Sequence, residues 1–457
     1  MSESIEGDGT NLLLQQVRVL DPIANCDRVA DVWLKDGKIA AIEAQIADIP
    51  PETTLKNGEN LILSPGLTDL YSANNDPGHE ERETLTSLSK AALAGGFTRL
   101  NLLPNTVPPL DNAAGLTFLQ QKIPSYAPHF RFWGALTQNL AGEKMVELAE
   151  LADAGVVGFS DGKAIAHWGV LRRLLEYGGP LGRPMAIAPT SPQLRDNGAM
   201  REGSFSIQAG LSGDPVFSET AALAALLEIV AIVRTPVHIM RVSTARGVEL
   251  IAEAKQRGLP VTASTTWLHL LLDTEAVGDY DPSLRLDPPL GNPGDRVALA
   301  DGVKAGVIDA IAIDHSPYTY EEKTVSFAEA PSGAIGLELA LPLLWENLVI
   351  KGNWTGLQLY KALTVAPQMC LGQTPLSCAV GEVAELTLFD PQKTWIANRE
   401  TLFSQSANTS WWDEEIKGKV VSIWKGDSLD LIMRGLETKP LPRRRKDYNP
   451  PYPHFLG

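Results

Sequence analysis

Cysteine and histidine are both scarce in this chain, with three Cys and seven His in 457 residues. Cys26, Cys370 and Cys378 are too few for a disulfide framework and contain no Cys-x-x-Cys pair, so they read as reduced structural thiols of a cytoplasmic protein. The histidines are His79, His129, His167, His238, His269, His315 and His454. No two are spaced i,i+2 or i,i+4, which excludes a short imidazole clip for a metal. No run of 18 apolar residues occurs, which excludes a helical membrane span. Residues 1–10 are polar and acidic, with no apolar stretch of the kind a signal peptide needs. Basic residues are in deficit too. Thirty-nine Lys and Arg against 55 Asp and Glu leave −16, which disfavours a broad grip on nucleic acid or anionic lipid.

What is present is a globular composition, 44% apolar and 21% charged, long enough for a large barrel with an accessory domain. Residues 12–19, 29–34 and 38–42 alternate as short strands, with Asp36-Gly37 as a turn between the last two. From residue 64 the pattern changes to short apolar runs at 67–71, 98–103, 130–135, 155–159, 184–188, 237–242, 260–264 and 307–313. Helical stretches lie between them, for instance 83–94, 142–152, 219–233 and 244–257. Eight runs suited to parallel strands buried on both faces, alternating with helices, predict an α/β fold of the (β/α)8 TIM-barrel type. After a helical stretch at 355–371, strand patterns resume at 385–389, 419–424 and 429–433. The expected division is therefore a barrel over 65–371 and a small β-sandwich domain from residues 1–64 plus 372–457. Arg443-Arg444-Arg445 and the proline-rich stretch after it read as an extended, solvated or subunit-contacting arm.

Ten short motifs follow one another in the barrel region. They include Pro65-Gly66-Leu67-Thr68-Asp69-Leu70, Ala94-Gly95-Gly96-Phe97-Thr98, Leu103-Pro104-Asn105-Thr106, Gly158-Phe159-Ser160-Asp161-Gly162, Asp287-Pro288-Pro289-Leu290 and Ile313-Asp314-His315-Ser316-Pro317. In order and spacing the chain resembles the dihydroorotases of the amidohydrolase superfamily over nearly its whole length. That resemblance implies cyclisation of carbamoyl aspartate to dihydroorotate at a site with one or two Zn²⁺. The metal would polarise a carbonyl oxygen and acidify bound water. It also implies a His-x-His after the first strand, a mid-chain bridging carboxylate, His ligands on the fifth and sixth strands, a catalytic Asp after the eighth, and Arg and Asn holding the substrate carboxylate.

The chain departs from that pattern where the chemistry is concentrated. Asp69-Leu70 continues as Tyr71-Ser72-Ala73, so both imidazoles of the His-x-His are gone. A phenol is a poor Zn²⁺ ligand at neutral pH, and a methyl group is none. The resemblance puts the substrate Arg at Asn75, a fifth-strand ligand at Ala188 and the sixth-strand ligand at Arg241, with His238 at a non-ligand position. Asp287 replaces the family's second polar anchor. Asp161 and Asp314 keep the positions of the bridging and catalytic carboxylates, and Asn105 also remains. The expectation is that Arg241 pairs with Asp314 or Asp161 as a structural ion pair, with no zinc or other cofactor bound. Asn105 is expected to cap the turn after its strand, His269 to satisfy a local hydrogen bond, and His315 to be the best residual acid or base.

Two readings follow from the resemblance. In the first, the chain is a silent dihydroorotase-like protein of pyrimidine synthesis, kept as a structural or regulatory subunit. Such a subunit would partner aspartate carbamoyltransferase and form a homo-oligomer. In the second it is an active cyclic amidohydrolase with an unorthodox site that uses Asp314, His315, Asp161 and Tyr71. A weaker third reading makes the old pocket a small-anion sensor built on Arg241.

Overall fold

The protein is seen in a computed structural model that describes residues 11–426. The strand expected at 429–433 and the basic, proline-rich arm lie outside the described residues.

All eight apolar runs become strands of one parallel sheet. They are Leu67–Ser72, Phe97–Leu102, His129–Gly134, Gly158–Phe159, Met185–Ile187, Val237–Ile239, Val261–Thr266 and Ala310–Ala312, adjacent in that order. Backbone hydrogen bonds bring the end of the eighth strand back to the first, Ala73 N–H to His315 O at 2.9 Å and Asp314 N–H to Tyr71 O at 3.2 Å. The result is a nearly closed barrel. Its apolar side chains fall into two clusters. Leu70, Tyr71, Trp133, Ala186, Met240, Ala310 and Ala312 fill the inside, while Leu67, Phe97, Leu100, Phe132, Ile187 and Ile239 pack outward with the helices. Helix Leu85–Ala94 starts at a Thr84–Ser87 capping box. It ends at Gly95, where a Cβ would lie 2.0 Å from Leu337 O, so the close passage of these two segments requires glycine.

Both chain ends contribute to a second sheet of seven strands. Its order is Glu415–Lys425, Glu385–Ile396, Ile62–Pro65, Asn11–Asp21, Cys26–Lys35 and Lys38–Glu43, with Thr54–Asn57 also pairing on Asn11–Asp21. Leu14, Val32, Leu34, Leu63, Leu386 and Trp424 form its core. Residues 397–414, between the last two strands, leave this sheet and lie on the barrel, where Ala397, Leu402 and Trp412 join the barrel's own core. This segment forms a strap. Its contacts with the barrel frame the pocket described next.

Candidate functional site

A cavity of about 350 Å³ opens at the C-terminal ends of the barrel strands. It brings together Ala73, Asn75, Asn105, Asp161, Arg241, Asp287 and Asp314, all expected from the sequence, with Arg82, Lys163 and His269 beside them. Tyr71, Ala188 and His315 do not line it.

Arg241 and Asp314 are its centre. The guanidinium grips the carboxylate at two points, Nε to Oδ2 and Nη2 to Oδ1, both at 2.7 Å, while Nη1 donates to Gly162 O at 2.6 Å. Of the two carboxylates open to Arg241 in the sequence, the structure selects Asp314. Burial alone opposes the Arg241 charge, but the Asp314 charge and its hydrogen bonds hold the guanidinium's pKa above its ordinary value. Both residues have left-handed backbones, with φ of 53° at Arg241 and 54° at Asp314. For an L-residue such a φ costs about 1 kcal/mol or more, and surrounding contacts must hold it. The φ at Arg241 also ends the sixth strand at Ile239, short of the run to 242 expected from apolarity.

Tyr71 lies under this pair. Its ring centre is 5.4 Å from the guanidinium carbon, and its hydroxyl shares a 2.8 Å hydrogen bond with Ser264 while accepting the Arg241 N–H at 3.1 Å. Burial, and then the Asp314 charge, raise the phenol's pKa, so it stays protonated. His238 extends the same buried chain, with Nε2 2.9 Å from Ser264 Oγ and Nδ1 2.9 Å from Thr262 Oγ1. Burial brings its pKa down to about 3, leaving a neutral imidazole.

The other carboxylates are occupied as well. Asp161 accepts the N–H groups of Leu136 and Thr137 at 2.8 and 3.0 Å and the Thr137 hydroxyl. Asp287 accepts from Arg195, whose Nε also bonds Asp214 at 3.0 Å. Arg195 comes from the segment after the fifth strand, and no sequence motif marks it. His269 has Nδ1 2.8 Å from Thr266 Oγ1 and Nε2 3.2 Å from Pro289 O, the local role expected of it, and burial lowers its pKa to about 4.

Three placements differ from expectation. His315, read as the residual acid or base, turns away from the cavity; its Nδ1 accepts the Gly336 N–H at 3.1 Å and its Nε2 lies 3.5 Å from Glu83. Ala188 follows the short fifth strand outside the cavity wall, its carbonyl accepting the Thr190 N–H. Asn105 accepts the Asn74 N–H at 3.0 Å, tying the second strand's loop to the first strand's rather than capping its own turn. Asn75 keeps a buried Nδ2 without a hydrogen-bond partner.

The donor set does not fit Zn²⁺. Among the described residues no group of three His, Cys, Asp or Glu is placed to hold a metal ion. The carboxylates present are already engaged, and a permanent cation stands at the centre.

Comparison with known proteins agrees with this architecture. The family model described as dihydro-orotase-like matches residues 60–245. A Synechocystis sp. chain described as a "probable dihydroorotase-like protein" is 47% identical over 437 residues, covering 89% of this chain and 98% of that protein. A dihydroorotase of Pelotomaculum thermopropionicum is 36% identical over 408 residues, covering 89% and 95%. Among solved structures, the L-hydantoinase of Arthrobacter aurescens superposes with a TM-score of 0.79 over 92% of this chain and 96% of that one. At 21% identity that likeness shows the fold alone. By the extent of its match to these relatives, the chain belongs to the dihydroorotase-like family.

Proposed function

We propose that this member of the family is a non-catalytic dihydroorotase-like subunit, structural or regulatory in pyrimidine synthesis. The observation that carries the reading is the two-point Arg241–Asp314 pair at the family's ligand and catalytic-acid positions. A carboxylate clamped at both oxygens is poorly placed to shuttle a proton, and a guanidinium stays protonated at any physiological pH. Forgoing a Lewis acid forfeits several kcal/mol of transition-state stabilisation, on the order of 10³-fold in rate. Nothing in the cavity replaces it. The preserved barrel, nearly closed and overlain by the strap, supports a role for the fold itself. Aspartate carbamoyltransferase and further copies of this chain are the partners we propose, in the cytoplasm, where the free thiols of Cys26, Cys370 and Cys378 would stay reduced.

The test combines metal content with turnover. Protein purified with excess Zn²⁺ should retain no stoichiometric metal and should neither hydrolyse dihydroorotate nor cyclise carbamoyl aspartate above the buffer rate. Stoichiometric zinc with turnover lost in Asp314→Asn would overturn the reading. Co-elution with aspartate carbamoyltransferase tests the partner, and independent elution of the two would reject it. Joint replacement Tyr71→His, Ala73→His and Arg241→His should restore zinc binding, which shows whether these side chains are what keep the metal out.

A further inference from the structure

The opposite end of the barrel, where the strands begin, carries a second charged cluster. Arg99 on the second strand bonds Glu385 of the β domain through Nε and Nη2 at 2.8 and 3.0 Å, and its Nη1 donates to Gln368 at 3.1 Å. His129, the register partner of Arg99, brings its Nε2 to 3.9 Å from the same carboxylate. Arg131 is two residues further along that strand and so on the same side. Lys425 is the register partner of Glu385 on the neighbouring sheet strand, and its ammonium donates to Ala127 O. Arg183, ahead of the fifth strand, is close enough to act on the Arg131 charge.

Glu385 is thus the carboxylate that Arg99 grips and whose charge reaches Arg131 and Lys425. It is already saturated by Arg99 and the Thr98 hydroxyl, which donates at 2.7 Å. Among the described residues neither Arg131 nor Arg183 has an acid in an ion pair, although the chain as a whole carries −16. Neighbouring cations that lack acids of their own repel one another, and an anion that enters between them removes the repulsion. Guanidinium forks match tetrahedral oxyanions at two points.

We infer that the floor of the barrel, around Arg131, Arg183, His129 and Lys425, is a binding site for a phosphate group, separate from the pocket at the opposite end. The excess of cations over the one carboxylate suits a dianion better than a single carboxylate. The half-exposed His129 and Arg131 leave it open to solvent, so either inorganic phosphate or a phosphate ester can reach it.

Thermal unfolding and calorimetry at constant ionic strength, on the full chain, test this. The probes are inorganic phosphate, pyrophosphate, a sugar phosphate and a poly-glutamate peptide. Saturable binding of a phosphate probe is expected, weakened about tenfold or more in Arg131→Gln. Arg131→Lys should fall between, because charge remains but the fork is lost, while Arg246→Gln, on an outer helix, should bind as wild type. Phosphate or pyrophosphate binding without the sugar phosphate would mark a free-anion site, and sugar-phosphate binding an ester site. Unsaturable responses, equal binding by Arg131→Gln, or binding of poly-glutamate alone would each overturn the proposal, the last in favour of an acidic protein partner.

Discussion

The two ends of the barrel treat charge in opposite ways. At the C-terminal end each carboxylate has donors of its own: Asp314 has Arg241, Asp287 has Arg195, and Asp161 has Thr137 with two backbone N–H groups. At the N-terminal end several cations surround one carboxylate, and Arg131 has none to itself. The first arrangement matches each of these carboxylates with donors inside the protein. The second is that of a site still short of an anion. Substitutions at the two ends should therefore differ in sign as well as in size.

The largest effect belongs to Arg241. It and Asp314 are mostly shielded, with side-chain exposures of 11% and 17%. Arg241→Met strands a buried carboxylate and should cost about 3–5 kcal/mol in urea unfolding, whereas the double variant with Asp314→Asn should recover most of that loss. A single variant as stable as wild type would show that the pair is not what holds this end together.

Next comes the strap. Asn408 donates to Ser316 O and Gly333 O at 2.9 and 3.1 Å and accepts the Tyr318 N–H at 3.2 Å, and all three partners belong to the cavity wall. Asn408→Ala should cost about 2–3 kcal/mol and loosen the wall, seen as faster amide exchange at Ser316 and Tyr318. Unchanged exchange there would separate the strap from the pocket.

A smaller, pH-dependent effect comes from Glu338, which accepts the N–H groups of Phe403 and Ser404 at the base of the strap. Burial pushes its pKa up to about 8 against these hydrogen bonds. Because the folded value is the higher one, the native state holds a proton that the unfolded chain releases. The stability this confers is complete below the ordinary carboxylate range and is lost as pH rises to about 8. Glu338→Gln should therefore gain on wild type between about pH 5 and pH 8, by an amount on the order of 1 kcal/mol. A pH-independent difference would mean that the folded Glu338 carboxyl does not have the raised pKa that burial gives it.

The sequence made the barrel legible because burial on both faces leaves a local mark, a short stretch dominated by apolar residues, at each of the eight strands. It overestimated strand length where a backbone turns, as at Arg241, since apolarity continues through Val242 while regular extended backbone stops at Ile239, before the left-handed Arg241. The missing imidazoles could be read by motif order, and Asp161, Asp314 and Arg241 do meet. His315 was misplaced because its direction depends on the left-handed residue before it, which sequence spacing does not encode. Arg195 and the strap escaped notice for another reason. Arg195 reaches Asp287, and Asn408 of the strap reaches Gly333, from far along the chain, without periodicity or a motif. The floor cluster escaped too, since Arg99, Arg131 and Lys425 become neighbours only through strand register.

That floor supplies the smallest effect and the clearest contrast. In buffer without phosphate, Arg131→Gln removes a cation from among like charges and breaks no ion pair. It should stabilise the protein by about 0.5 kcal/mol at low salt, a modest value because the side chain is partly solvated. The gain should shrink as salt is added, and with saturating pyrophosphate it should reverse, since wild type then acquires binding energy that the variant lacks. Loss of stability in plain buffer would instead place Arg131 in an ion pair like that of Arg241, and the contrast between the two ends would fail.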